Sequence, residues 1–163
     1  MKIYTIEELP QNKIMDFFVL HWGSTEMVIS TGVYDCSTLD GFAVINEEVK
    51  IIGLITYIIK ENECEIISLD SVDEGRGIGT SLVQEVEKLA TKKKCKLVKL
   101  ITTNDNLLAL KFYQKRGFIL SEIINNAVEK ARKFKPEIPL IGNDGIPIRD
   151  EIELVKFLNS HEN

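Results

Sequence analysis

Residues 64–80 read Cys64-Glu-Ile-Ile-Ser-Leu-Asp-Ser-Val-Asp-Glu-Gly-Arg-Gly-Ile-Gly-Thr80, and a change of pattern inside them sets the fold class. Up to Val72 the segment is rich in β-branched residues and reads as a strand. Beyond Gly75-Arg76-Gly77-Ile78-Gly79 the period changes. Leu82, Val83, Val86, Leu89 and Ala90 fall on one stripe, with Gln84, Glu85, Glu87 and Lys88 off it, which predicts an amphipathic helix from Gly77 to Lys93. A strand therefore enters a helix through closely spaced glycines. Missing Cβ atoms let backbone N–H groups approach an anion. The first turn of the helix adds N–H groups outside its ladder and the positive end of its dipole. Together these make a cradle for phosphate or pyrophosphate. A turn that only lets helix and strand pack closely would look the same.

Two nucleotide-binding patterns fail on spacing. A dinucleotide fold asks for G-x-G-x-x-G and an acidic residue about 20 positions later. Here the glycines fall as G-x-G-x-G, and the region around Cys95 reads Lys-Lys-Cys-Lys-Leu-Val-Lys. A P-loop asks for Lys and then Ser or Thr after its glycines; Thr80 is present, but no Lys precedes it.

Outward from this segment, strands dominate the first half and helix alternates with strand in the second. Ile14, Phe17 and Phe18 mark a helix from Pro10 to His21, ended at Gly23-Ser24. Met27–Ser30, Gly41–Asn46 and Val49–Lys60 read as strands. Leu97–Thr102 reads as a short buried strand. Leu108, Ala109, Phe112 and Tyr113 mark a helix with Asp105 or Asn104 as its cap and Gly117 as its stop. Phe118–Ile124 is then a strand, residues 126–134 a short helix, 135–147 a loop and Ile148–Leu158 a final strand. The expectation is a mixed α/β sheet in one domain, residues 1–163.

Composition agrees. Of 163 residues, 44% are hydrophobic and 28% charged, as in a soluble globule. No apolar run approaches the ~20 residues of a membrane span, and the acidic start lacks a secretory pattern, so a cytoplasmic protein without membrane contact is expected. A formal net charge of −5 disfavours general nucleic-acid binding. Cys36, Cys64 and Cys95 lack metal or disulfide spacing, so no metal is expected and the thiols read as reduced and buried.

A second segment narrows the reading. Asn106-Leu-Leu-Ala-Leu-Lys-Phe-Tyr-Gln-Lys-Arg-Gly-Phe118 has the pattern N-x-x-A-x-x-F-Y-x-K-x-G-F and follows a strand. With the glycine turn before it, the sequence resembles the GCN5-related N-acetyltransferase (GNAT) family, and in detail a bacterial subgroup of unassigned acceptor. The match runs from about Gly41 to Phe118. One departure is Glu74, which stands where the family has Gln or Arg and is expected to turn away from phosphate.

The resemblance implies a central, mostly antiparallel sheet flanked by helices. It implies acetyl-CoA as acyl donor, direct attack by an amine of a small molecule or protein, and no metal. Gly75, Arg76, Gly77, Ile78, Gly79 and Thr80 would supply the N–H cradle. Leu69, Asp70 and Ser71 would pair through their backbone with the pantetheine arm, and Asn106 would bond near it. Tyr113 would protonate the departing thiolate; a phenol, with pKa about 10, holds its proton at neutral pH. On spacing alone Tyr113 reads as a core aromatic, and the motif is what turns the reading to chemistry.

Glu65, at the opening of its strand, matches the base of some members, with Asp70 as rival and a water chain as third route. In an unbroken strand Glu65 and Asp70 point to opposite faces; a bulge would relax that. His21 and Trp22 close the first helix, either beside an acceptor or as aromatic packing. The run at Lys92-Lys93-Lys94 reads as a solvated helix end. The long segment from Lys135 to Glu151 reads as an acceptor cover using Arg149, Asp150 or Glu151, or as a proline-stiffened surface loop. A non-catalytic acyl-CoA sensor is the competing function, and the sequence leaves a homodimer open.

Overall fold

A computed structural model of the chain describes residues 1–72 and 75–158. Glu74 lies outside the described residues. Among the described residues nine strands and four α-helices follow in the order β1 (Ile3–Thr5), α1 (Gln11–Trp22), β2 (Glu26–Ile29), β3 (Gly32–Asp35), β4 (Asp40–Ile45), β5 (Ile51–Lys60), β6 (Glu63–Ser71), α2 (Ile78–Lys92), β7 (Leu97–Thr103), α3 (Leu107–Lys115), β8 (Ile119–Ile124), α4 (Ala127–Arg132) and β9 (Glu151–Phe157). The expected α/β class and its longer elements hold. The final strand begins three residues later than expected, and β1 and β3 are additions. No helix among the described residues is long and apolar enough to cross a membrane.

The chain divides into two compact units. The first comprises Met1–Glu26, Asp35–Val98 and residues 157–158. Its strands run in the order β1-β4-β5-β6, each pair antiparallel. Helix α2 buries Leu82, Val83, Val86 and Ala90 of the expected stripe, and Ile78 besides, against β4, β5 and β6, while Leu89 is half-buried. Burying each such aliphatic side chain contributes roughly 1.5–3 kcal/mol. The approach is close: a Cβ on Gly53 would stand 2.4 Å from Ile78 Cγ2. Helix α1 buries Ile14, Phe17 and Phe18 and ends at Gly23, whose left-handed φ of 76° lets its N–H reach Val19 O at 2.9 Å. A 3-10 turn at Cys36–Thr38 is tied to α1 by Gln11 Nε2, which donates to Ser37 O at 2.8 Å.

The second unit comprises Met27–Tyr34 and Lys99–Lys156. It holds β9 between β7 and β8, the β2-β3 ribbon, α3 and α4. Its long segment between α4 and β9 is fastened at several points. Asn104 Oδ1 accepts the N–H groups of Arg149 and Asp150, both at 3.0 Å, and Asn104 Nδ2 donates to Pro147 O at 2.9 Å. Buried Asp105 accepts Asn143 N–H at 3.0 Å and the Thr103 hydroxyl at 2.5 Å.

Arg132 clamps both limbs of that segment. Its guanidinium donates to Ile138 O (3.2 Å) and Pro139 O (2.6 Å) on one limb and to Ile148 O (2.8 Å) on the other, and it pairs with Glu129. The side chain is only 11% exposed. Arg132→Met removes three charge-assisted bonds and leaves their carbonyls to find new donors. We expect a loss of about 3 kcal/mol, a fall of roughly 6–12 °C in melting temperature. Arg132→Lys, which keeps charge but not the planar fork, should recover only a minor part. Thermal unfolding measures both, and a loss below 1 kcal/mol for Met would remove the clamp.

Candidate active site

The glycine turn precedes α2. Gly75 (φ 83°) and Gly77 (φ 75°) are left-handed, a region costly for any residue with a Cβ. Gly77 caps α2, and the first bond of the helical ladder runs from Ser81 N–H to Gly77 O at 3.0 Å. The N–H groups of Ile78 and Gly79 precede that bond and lie at the positive end of a 15-residue helix. A Cβ built at Gly75 or Gly77 meets nothing within 4 Å among the described residues. These glycines are therefore not set by packing, unlike Gly53. Their absent side chains leave open space in front of the helix end. Arg76 is exposed beside them, while Gly79 and Thr80 in the first turn are half-buried.

Strand β6 leads into this turn. Leu69, Asp70 and Ser71 pair with Ile55, Leu54 and Gly53 of β5. The register then shifts: Ser68 faces Thr56, but Ile66 faces Tyr57, so Ile67 is an extra residue. This bulge overturns the opposite-face expectation for an unbroken strand. Asp70 pairs with Leu54, Ser68 with Thr56 and Glu65 with Ile58, all even positions of β5, so the three share one face. The Thr56 and Ser68 hydroxyls confirm it by bonding to each other at 2.5 Å. Glu65 is 5% exposed on that face.

Helix α1 and the 3-10 turn cover the same face. Cys36 is fully buried, and its desolvated thiol is pushed up to about 11, with hydrogen bonds from Thr56 and Ser68 opposing. Burial raises the Asp70 pKa above the ordinary carboxylate range; a side-chain hydrogen bond from Trp22 and the nearby charge of His21 oppose the rise. Asp70 Oδ2 is buried without a hydrogen-bond partner among the described residues. The two aromatic residues are held by stacking one helical turn back, His21 on Phe17 (4.3 Å between centroids) and Trp22 on Phe18 (5.6 Å). Cys64 and Cys95 are also fully buried, and desolvation pushes the Cys64 thiol up to about 12. None of the three thiols is a poised nucleophile.

The second unit holds Asn106 and Tyr113. Asn106, not Asp105 or Asn104, caps α3: its Oδ1 accepts Ala109 N–H at 3.1 Å. Tyr113 is 6% exposed and meets Phe112 and Phe118 edge-on at 5.1 and 5.4 Å. Gly117 ends the helix at φ 94°. The acceptor-contact reading of Arg149, Asp150 and Glu151 meets internal partners instead. Arg149 Nε bonds both Asp150 oxygens at 3.0 Å, Asp150 also accepts Asn126 N–H at 2.8 Å, and Glu151, 1% exposed, accepts Ser30 N–H at 3.0 Å. The run Lys92-Lys93-Lys94 is exposed at the helix end, as expected.

Comparison with known proteins bears on the same segments. The sequence model of the Acetyltransferase (GNAT) family matches residues 11–118. The Bacillus subtilis protein YxbD is 54% identical over 158 residues, 97% of this chain and 99% of the relative. Among solved structures, an IAA acetyltransferase from Bacillus cereus superposes with a TM-score of 0.69 at 19% identity, covering 96% of this chain and all of the other. A GNAT family acetyltransferase from Elizabethkingia anophelis with acetyl-CoA bound gives 0.63 at 26% identity, covering 76% of this chain and 78% of that one.

Proposed function

Because the chain belongs to the GNAT acetyltransferase family, we propose that it is a cytoplasmic enzyme that moves an acetyl group from acetyl-CoA to an amine by direct attack. The observation that carries this reading is the open turn at Gly75 and Gly77 before the N-terminus of α2. Residues 75–80 hold the pyrophosphate through backbone N–H groups, with no side-chain anchor required. The backbone of Leu69, Asp70 and Ser71 and the Asn106 amide hold the arm that follows. Acetyl-CoA supplies the activated thioester. The protein supplies a proton to sulfur, from Tyr113, and takes one from nitrogen, onto a carboxylate of β6. Glu65 and Asp70 stand on the right strand for that task and share a face.

Acetyl-CoA at 100 times its dissociation constant should stabilise the fold by about 2.7 kcal/mol. Thermal unfolding with and without acetyl-CoA, followed by a panel of amines with free-thiol release as readout, tests both halves. A thermal shift without thiol release from any amine would favour an acyl-CoA sensor. The absence of any shift would remove the donor itself.

A further inference from the structure

We propose that Asp70 is the proton acceptor of this transfer and that Trp22, at the C-terminal end of α1, is the positioning residue that holds its carboxyl group in place. This rests on the acetyltransferase reading above. With Ile67 bulged out, Glu65 and Asp70 are four strand steps apart, or about 13 Å. A proton acceptor must lie within about 3 Å of its proton, or one water farther. Only one of the two can serve a given nitrogen.

The surroundings favour Asp70. Its Oδ2 is buried with no donor among the described residues, and a buried acceptor of that kind is uncommon unless a proton or ligand is meant to reach it. The residue itself is part-exposed, at the end of β6 that enters the glycine turn. The nearby hydroxyls of Thr56 and Ser68 are engaged with each other. Trp22 carries a donor and no acceptor, so its hydrogen bond orients the carboxylate form without competing for the proton.

The charged and titratable groups facing Asp70 are few. His21 comes from α1. Cys36, from the 3-10 turn, is pushed up to about 11 and is neutral at working pH. Glu65 and Glu63 are the other carboxylates of β6, and on this face β5 contributes uncharged Leu54, Thr56 and Ile58 and, opposite Glu63 at the far end, Lys60. Burial raises the Asp70 pKa, and Trp22 and His21 limit the rise. A carboxylate moved toward neutrality is a better base than an ordinary one.

The proton balance closes. The neutral amine's lone pair forms the N–C bond, the C–S bond breaks with its electrons going to sulfur, the N–H proton goes to Asp70 Oδ2, and the thiolate takes a proton from the Tyr113 phenol. Solvent then carries the proton from Asp70 to Tyr113. The net change is one proton from nitrogen to sulfur.

The test compares Asp70→Asn, Glu65→Gln and Trp22→Phe. It uses pH profiles of kcat/KM for two acceptors of different amine pKa, and ¹³C-carboxyl NMR titration of Asp70 in the intact protein. Asp70→Asn should lower the plateau by about 10²-fold or more while keeping the acetyl-CoA thermal shift, and should cost more than Glu65→Gln; the reverse order overturns the assignment. Trp22→Phe removes a bond to the charged form. It should therefore move both the NMR titration and the acceptor-independent acid limb to higher pH, whereas loss of packing alone would lower the plateau and leave the limb in place. Asp70→Asn within fivefold of wild type, or an Asp70 titration unmoved by Trp22→Phe, overturns the assignment. Wild type that releases no thiol with any amine overturns the acetyltransferase reading and this one with it.

Discussion

Gly77→Val is expected to fold and to lose the melting-temperature rise that acetyl-CoA gives the wild type. The left-handed φ of 75° costs a β-branched residue about 1–2 kcal/mol, or roughly 2–8 °C for a chain of this size. That is well short of unfolding a stable domain. A Cβ at this position meets nothing within 4 Å among the described residues, so the substitution brings no clash at the branch point. On the proposed reading the new side chain stands where a phosphate would approach the N–H groups of the first turn. The stabilisation of about 2.7 kcal/mol expected at 100 times the dissociation constant should vanish. Gly41→Ala is the contrasting variant: its Cβ would lie 2.0 Å from Ile55 O and 2.6 Å from Ile6 Cδ1, so it should fail as a fold. A folded Gly77→Val protein with an undiminished thermal shift would rule out the cradle.

Tyr113→Phe should bind acetyl-CoA as the wild type does and lose turnover by about 10²–10⁴-fold, the usual worth of a positioned acid. The aromatic ring is kept, and with it the edge-on contacts to Phe112 and Phe118 that bury the residue. Only the hydroxyl is removed. Equal falls in kcat and kcat/KM would mark an interaction made in the transition state alone. A fall of less than tenfold, with a competent acceptor, means that solvent protonates the thiolate.

The parts of the fold that could be read were those written in local periodicity. The switch from β-branched residues to a helical stripe at residues 64–90 located β6, the turn and α2 to within a residue or two. Strands β1 and β3 have three and four residues, too few to show a period. The bulge at Ile67 was invisible for a different reason. Cys64-Glu-Ile-Ile-Ser-Leu reads as the same strand with or without an extra residue, and only the register with β5 reveals it. That one residue decides which carboxylates share a face. The anchoring of the long loop by Asn104, Asp105 and Arg132 spans separations of up to 46 residues, beyond any local pattern. Asn106 was marked as a ligand residue by its motif, while its capping role needed the backbone position of Ala109.

On the proposed function, the glycines of this chain divide into those that the protein needs and those that only its acyl donor needs. Gly41 and Gly53 are fixed by atoms of the chain itself, so any lineage that must keep a soluble product must keep them. A Cβ at Gly75 or Gly77 meets nothing within 4 Å among the described residues, so the chief cost of replacing either is backbone strain. A gene copy released from its metabolic duty would thus drift first at the turn, through proteins that remain folded and abundant. Loss of this activity in a descendant would leave almost no mark on its stability, and the identity of residues 75 and 77 would be where to read it.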